Sequence, residues 1–182
     1  MKKILSILLV FVLIFSFAAC SNAKTSSDDY DIDIEYYANL GKIPECEYAI
    51  GTSVEEIKDW FEAESESSEA PYSVIEGKSD VLIQTGNYDF YYKKANEDDG
   101  VTYIISYENA FGFDIGDVVV SVKEQLGSFD FTEEAINEDN AFFLFGSPEG
   151  KVITLEFERY NVMFVFEENA LCATAIYDNS VW

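Results

Sequence analysis

The chain has no histidine among its 182 residues. That absence removes Ser-His-Asp and Cys-His catalysis together with every histidine-bearing metal site. Positive charge is scarce as well: 11 Lys and Arg face 35 Asp and Glu, for a net charge of −24 at pH 7. Arg159 is the only arginine. Lys and Arg that neutralise phosphates supply most nucleic-acid affinity, so a chain of this sign disfavours nucleic acid as a partner. Cysteine occurs three times, at Cys20, Cys46 and Cys172, with no CxxC spacing that would suit a redox pair or a zinc site. The stretch "GSPEGK" lacks the spacing and the Ser/Thr of a phosphate-cradling loop, and reads as a turn between strands. The acidic stretch from Asp29 fails as an EF-hand, because the required glycine and glutamate positions hold Ile34 and Leu40. The reading therefore contains no cofactor and no metal.

The sequence begins "MKKILSILLVFVLIFSFAAC": two lysines, an unbroken apolar run, then small residues ending at Cys20. This is the layout of a bacterial secretory signal rather than of a fold element. Its end resembles a lipobox, with Phe17 where leucine is usual. That resemblance implies cleavage before Cys20 and acylation of its thiol. Residues 1–20 are thus expected to be a lipoprotein signal peptide, placing the chain on the extracytoplasmic face of a cell membrane. Loss of Lys2 and Lys3 makes the remainder still more acidic, which keeps the protein surface off anionic headgroups and leaves the acyl group as its membrane contact. Residues 21–45 are polar and acidic and read as a tether, with "DYDIDIE" as an alternative edge strand. Cys46 and Cys172 then remain, and the pair admits either a disulfide or two separate thiols; geometry decides between them.

Beyond the tether, "IGTSVEEIKDWF" (Ile50 to Phe61) is echoed by "IGDVVVSVKEQL" (Ile115 to Leu126). Val54, Ile57 and Phe61 fall on one helical face, and Val119, Val122 and Leu126 repeat that stripe. Ser53 with Glu56 makes a capping-box pattern, and Asp117 is the corresponding cap. Gly51 and Gly116 precede the caps, where a tight entry turn is needed. Alternating segments follow each helix: "DVLIQTG", "YDFYYKK" and "VTYIISYE", then "AFFLFG", "KVITLEFER", "NVMFVFEE" and "LCATAIYD". Phe90, Tyr92 and Tyr107 match Phe164, Phe166 and Tyr177. The expected fold is α+β with two tandem repeats, 46–113 and 114–182, each an N-terminal helix packed on a short antiparallel β-meander. A unit of this size is marginal alone, so the two are expected to share an interface.

The paired helix starts, followed by aromatic-rich strands, resemble repeats of the β-lactamase-inhibitor-protein-like fold, which the outer-membrane assembly lipoproteins of the BamE/SmpA type share. The resemblance implies an envelope protein that binds other proteins through an open sheet face. It does not imply β-lactamase inhibition.

Strand alternation sends Phe90 and Tyr92 toward the helix and Tyr91 away from it, with Met163 and Val165 as the matching outward set. For the last strand of each unit the expectation is Tyr103, Ile105, Ala173, Ala175 and Tyr177 inward, and Ile104, Cys172, Thr174 and Ile176 outward. Tyr91, Ile104, Met163, Val165 and Ile176 are therefore the candidate binding face for another envelope or extracellular protein. Two sheets covering each other would bury the same residues. The carboxylates Glu55, Glu56, Asp59 and Glu62, with Asp98 and Asp99, are the material for a hydrolase acting on wall polymers, which needs two carboxyls facing across a cleft. An acidic helix face is ordinarily a solvated one. The reading is a non-enzymatic binding module, with a structural envelope spacer as the alternative.

Overall fold

The structure, a computed structural model, describes residues 33–64, 72–95, 100–136 and 150–180. Cys20, residues 21–32, residues 65–71, the "AFFLFG" segment expected as a strand, Asp98, Asp99 and Trp182 lie outside the described residues.

Eight strands form one antiparallel sheet: β1 Ser73–Glu76, β2 Asp80–Gln84, β3 Tyr88–Lys93, β4 Tyr103–Ser106, β5 Phe131–Ala135, β6 Gly150–Glu156, β7 Tyr160–Glu167 and β8 Ala170–Asp178. Their order in the sheet is β1-β2-β3-β4-β8-β7-β6-β5. Each run of four consecutive strands is a meander, and the two runs join where β4 pairs β8, with Ile104 opposite Ile176. This seam excludes the alternative in which two sheets cover each other. Backbone hydrogen bonding continues across it, so the halves lie edge to edge.

Three short helices accompany the described strands: α1 Ile34–Asn39, α2 Val54–Glu64 and α3 Val119–Gln125. Mostly sheet with few helices, the architecture is weighted further toward β than two helix-plus-meander units of equal standing. The helix stripes behave as their spacing requires. Val54, Ile57, Val119, Val122 and Leu126 enter one buried cluster with Ile83, Phe90, Phe164 and Phe166 of the sheet. Ile34 and Ala38 of α1 join the same cluster, so all three described helices lie on one face of the sheet.

Residues 33–45 are not tether. Asp33 caps α1, its Oδ1 accepting from the Tyr36 amide at 2.9 Å, and Ile34, Ala38 and Ile43 are buried. The short-range acid–apolar alternation of "DIDIE" suggested a strand. The i, i+4 pair Ile34 and Ala38 behind an aspartate cap makes a helix instead.

At the start of α2, Ser53 Oγ accepts from the Glu56 amide at 3.1 Å, as the capping pattern requires. Asp117 does not cap α3. The helix begins after Val118 without a side-chain cap, and Asp117 Oδ2 accepts from the Asp114 amide at 3.0 Å, closing the preceding turn. Gly51 and Gly116 are left-handed, at φ 89° and 100°.

Strands β1 and β5 were not legible in the sequence. All four residues of β1 are exposed, as are four of the five in β5. An edge strand with one partner and no buried face carries no apolar alternation to read.

Candidate functional site

The side of the sheet opposite the helices carries a second apolar cluster of Leu82, Tyr91, Tyr103, Ile105, Val152, Met163, Val165, Ala173 and Ala175. All nine belong to strands, with Ile136, Cys172 and Tyr177 packed at the margin. None of the described helices contributes to it.

Directly opposed residues in an antiparallel pair point to the same face, so the registers align these side chains in rows. One row runs Leu82, Tyr91, Tyr103, Tyr177, Asn161 across β2, β3, β4, β8 and β7. Its rings interact: Tyr91 and Tyr103 meet edge to face at 5.9 Å, and Tyr103 stacks on Tyr177 at 5.2 Å with planes 10° apart. The next row runs Gln84, Asp89, Ile105, Ala175, Met163. Val165 and Ala173 face each other beyond it. Ala173 and Ala175 make the floor of β8 low between larger neighbours.

Polar atoms are set into this surface. Asp89 is 0% exposed, yet among the described residues only one of its oxygens is engaged. Oδ2 accepts from the Tyr107 hydroxyl at 2.8 Å and from Gln84 Nε2 at 3.5 Å, while Oδ1 has no hydrogen-bond partner among the described residues. Burial raises the Asp89 pKa above the ordinary carboxylate value, and the Tyr107 and Gln84 hydrogen bonds offset part of that rise. Burial also raises the phenols of Tyr91, Tyr103 and Tyr107. Asn161 donates from Nδ2 to the Tyr177 hydroxyl at 3.2 Å, and its Oδ1 likewise has no partner among the described residues.

Three of the five residues expected on the binding face, Tyr91, Met163 and Val165, do come together here. They are 5%, 4% and 1% exposed. The other two, Ile104 and Ile176, are a correction: both are fully buried in the cluster beneath the helices. Phe90 opposes Ile104 and Val162 opposes Ile176, and opposed residues share a face, so these isoleucines follow Phe90 inward. The same inversion moves Tyr103, Ile105, Ala173, Ala175 and Tyr177 to the face away from the helices, and Thr174, opposite Phe164, to the helix side. A displacement of one residue in register exchanges every side chain of a strand between faces.

Cys46 and Cys172 are free thiols. Cys46 belongs to the helix-side cluster and Cys172 packs at the margin of the opposite one, so the sheet separates them and the disulfide alternative is excluded. Cys172 is the extra residue of a bulge in β8, where Val165 opposes Ala173 but Phe166 opposes Leu171. Its thiol donates to the Val165 carbonyl at 3.3 Å. Burial raises both thiol pKa values, that of Cys46 to about 11.

Glu55, Glu56, Asp59 and Glu62 lie exposed along α2, where Glu62 accepts from the Tyr72 hydroxyl at 2.7 Å. They do not face one another across a cleft. Among the described residues no cluster of three or more potential ligands could hold a metal ion, and no helix is long and apolar enough to cross a membrane. No protein-family model matches the chain, nor does any curated protein or any solved structure.

Proposed function

We propose that this chain is an exported lipoprotein, anchored through Cys20 on the extracytoplasmic face of a membrane, that acts as a non-enzymatic protein-binding module. The observation that carries the binding reading is the tyrosine- and methionine-bearing sheet face, continuous across both meanders and opposite every described helix. Aromatic and methionine side chains around a few buried polar groups are characteristic of the centre of protein interfaces. The unengaged Asp89 Oδ1 calls for a donor, and the strongly acidic chain favours a basic one. The partner's chemistry follows: an apolar segment of an envelope protein bearing a Lys or Arg that reaches Asp89.

The finer architectural reading is a tandem repeat, and hydrogen bonding supports it. The Gly51 amide donates to Val101 O while the Val101 amide donates to Thr52 O; correspondingly, Gly116 donates to Leu171 O and Leu171 to Asp117 O. Each helix start is clasped in the same way to a residue near the last strand of its own half. A side-chain correspondence agrees. Tyr107 donates its amide to Asn87 O, three residues before Phe90, and Tyr177 opposes Asn161, three residues before Phe164. The likeness to inhibitor-protein-like repeats rests on the helix-start motif and the aromatic-rich strands that follow it.

A photo-crosslinking amino acid at Met163 of the full chain, expressed in its source cells, tests the reading against a control at Trp60 on the helix side. A discrete protein adduct at Met163 and none at Trp60 supports it. The near-complete burial of this face favours one alternative, a structural spacer in which these residues are simply the chain's own core. Adducts at Met163 that are only intramolecular would establish that alternative.

A further inference from the structure

On the helix side, between α2 and the start of β3, lies a hollow of about 240 Å³ walled by Tyr48, Trp60, Phe61, Tyr88 and Phe90. Three of its ring pairs stand close to perpendicular, while Phe61 and Tyr88 meet Phe90 at 58° and 38°. Tyr48 meets Trp60 at 80° and Phe90 at 81°, and Trp60 meets Phe61 at 85°. Trp60 is 38% exposed although it adjoins the buried stripe of α2, so its indole serves the hollow rather than the core.

The rim carries Glu45 and Glu47; among the described residues no lysine or arginine lines the hollow itself, and Lys42 lies on the far side of Glu47, Tyr48 and Trp60. Glu45 holds a left-handed backbone at φ 69°, a conformation that costs a non-glycine residue about 1–2 kcal/mol and recurs where a side chain must be aimed. Tyr88, at the wall, has its phenol pushed up to about 12, chiefly by burial and then by Cys46, Glu108 and Glu45. Aromatic rings make most of the wall, and two carboxylates stand at the mouth. That is the field a desolvated organic cation requires.

We propose that this hollow is a binding site for a small quaternary ammonium compound, seated among Tyr48, Trp60 and Phe61 with its charge toward Glu45 and Glu47. The site is separate from the sheet face and does not depend on its role. Quaternary ammonium groups occur free and in zwitterionic lipid headgroups. The acidic rim favours the free cation, because a phosphate beside the ammonium would be repelled.

The test uses the full chain in an uncharged detergent with Trp182→Phe introduced, so that Trp60 is the sole fluorescent indole. Choline is titrated beside its carbon isostere, in which carbon replaces the charged nitrogen, and beside phosphocholine. The expected result is saturable quenching by choline, binding of the isostere about tenfold weaker or more, and phosphocholine weaker than choline. Glu45→Gln with Glu47→Gln, both exposed positions, weakens choline about threefold or more at an unchanged melting temperature. Calorimetry on Trp60→Leu shows the affinity lost. Equal binding of choline and isostere, or no saturation by choline, overturns the proposal. Phosphocholine binding more tightly than choline overturns the assignment to a free cation.

Discussion

The Tyr107 hydroxyl donates to Asp89 Oδ2 at 2.8 Å and is the shorter of the two hydrogen bonds given to a carboxylate buried in the sheet face away from the helices. The folded carboxyl holds its proton more tightly than an unfolded one, whose ordinary value is 3.8. Between that value and the raised folded one, the native state binds more protons, so stability falls as pH rises through the window. The penalty is absent below it and complete above it. Asp89→Asn, which keeps an acceptor for Tyr107 and carries no charge, should be at least as stable as the parent at neutral pH. It should also lose this pH slope in denaturant titrations from about pH 3.5 to 7. Tyr107→Phe removes the main hydrogen bond to the buried charge and should cost about 1–3 kcal/mol at pH 7.

Ile104 and Ile176 oppose each other across the seam between the two meanders, both fully buried. Each change to alanine should cost about 2–5 kcal/mol. Because they are neighbours, the double variant should depart from additivity by about 0.5–3 kcal/mol. Either single change should move one common transition seen by circular dichroism and by fluorescence. Two separate transitions would show that the seam does not couple the halves.

Gly100 and Gly51 both have positive φ, at 74° and 89°, but only one of them is crowded. A Cβ at Gly100 would sit 2.5 Å from Thr52 O and 2.6 Å from Gly51 O, whereas one at Gly51 meets nothing within 4 Å. Gly51→Ala should cost about 1–2 kcal/mol, for the left-handed backbone alone. Gly100→Ala should cost clearly more, because the clash is with backbone that anchors the start of α2. Chemical denaturation of the two variants side by side measures the difference.

Cys20→Ser should leave a chain of precursor mass that incorporates no labelled fatty acid, while the parent runs shorter and carries the label. Mass spectrometry of the membrane fraction reads both. A labelled Cys20→Ser protein would refute the anchor.

The sheet's central strands were legible because their apolar residues alternate and turn residues bound them, and the helix stripes because Val54, Ile57 and Phe61 recur at helical spacing. Edge strands β1 and β5 escaped, since all of β1 and all of β5 but Phe131 are exposed. The candidate site was half legible. Tyr91 follows from alternation along β3 alone, but the faces of β4 and β8 depend on which residue opposes Phe90 and Val162, and a register is a relation between strands that no single strand encodes.

What the sequence by itself determined is local: the apolar stripes of α2 and α3, which central strands alternate, the acidic balance and the lack of histidine chemistry. These depend on neighbours a few residues apart. The tertiary structure decided that β4 would pair β8 to make one sheet of eight strands, that Ile104 and Ile176 would turn inward, that Cys46 and Cys172 would be parted, and that Asp89 would be buried beside Tyr107. Each of these joins positions distant in the chain, and the energies that select them arise only once the strands are packed together.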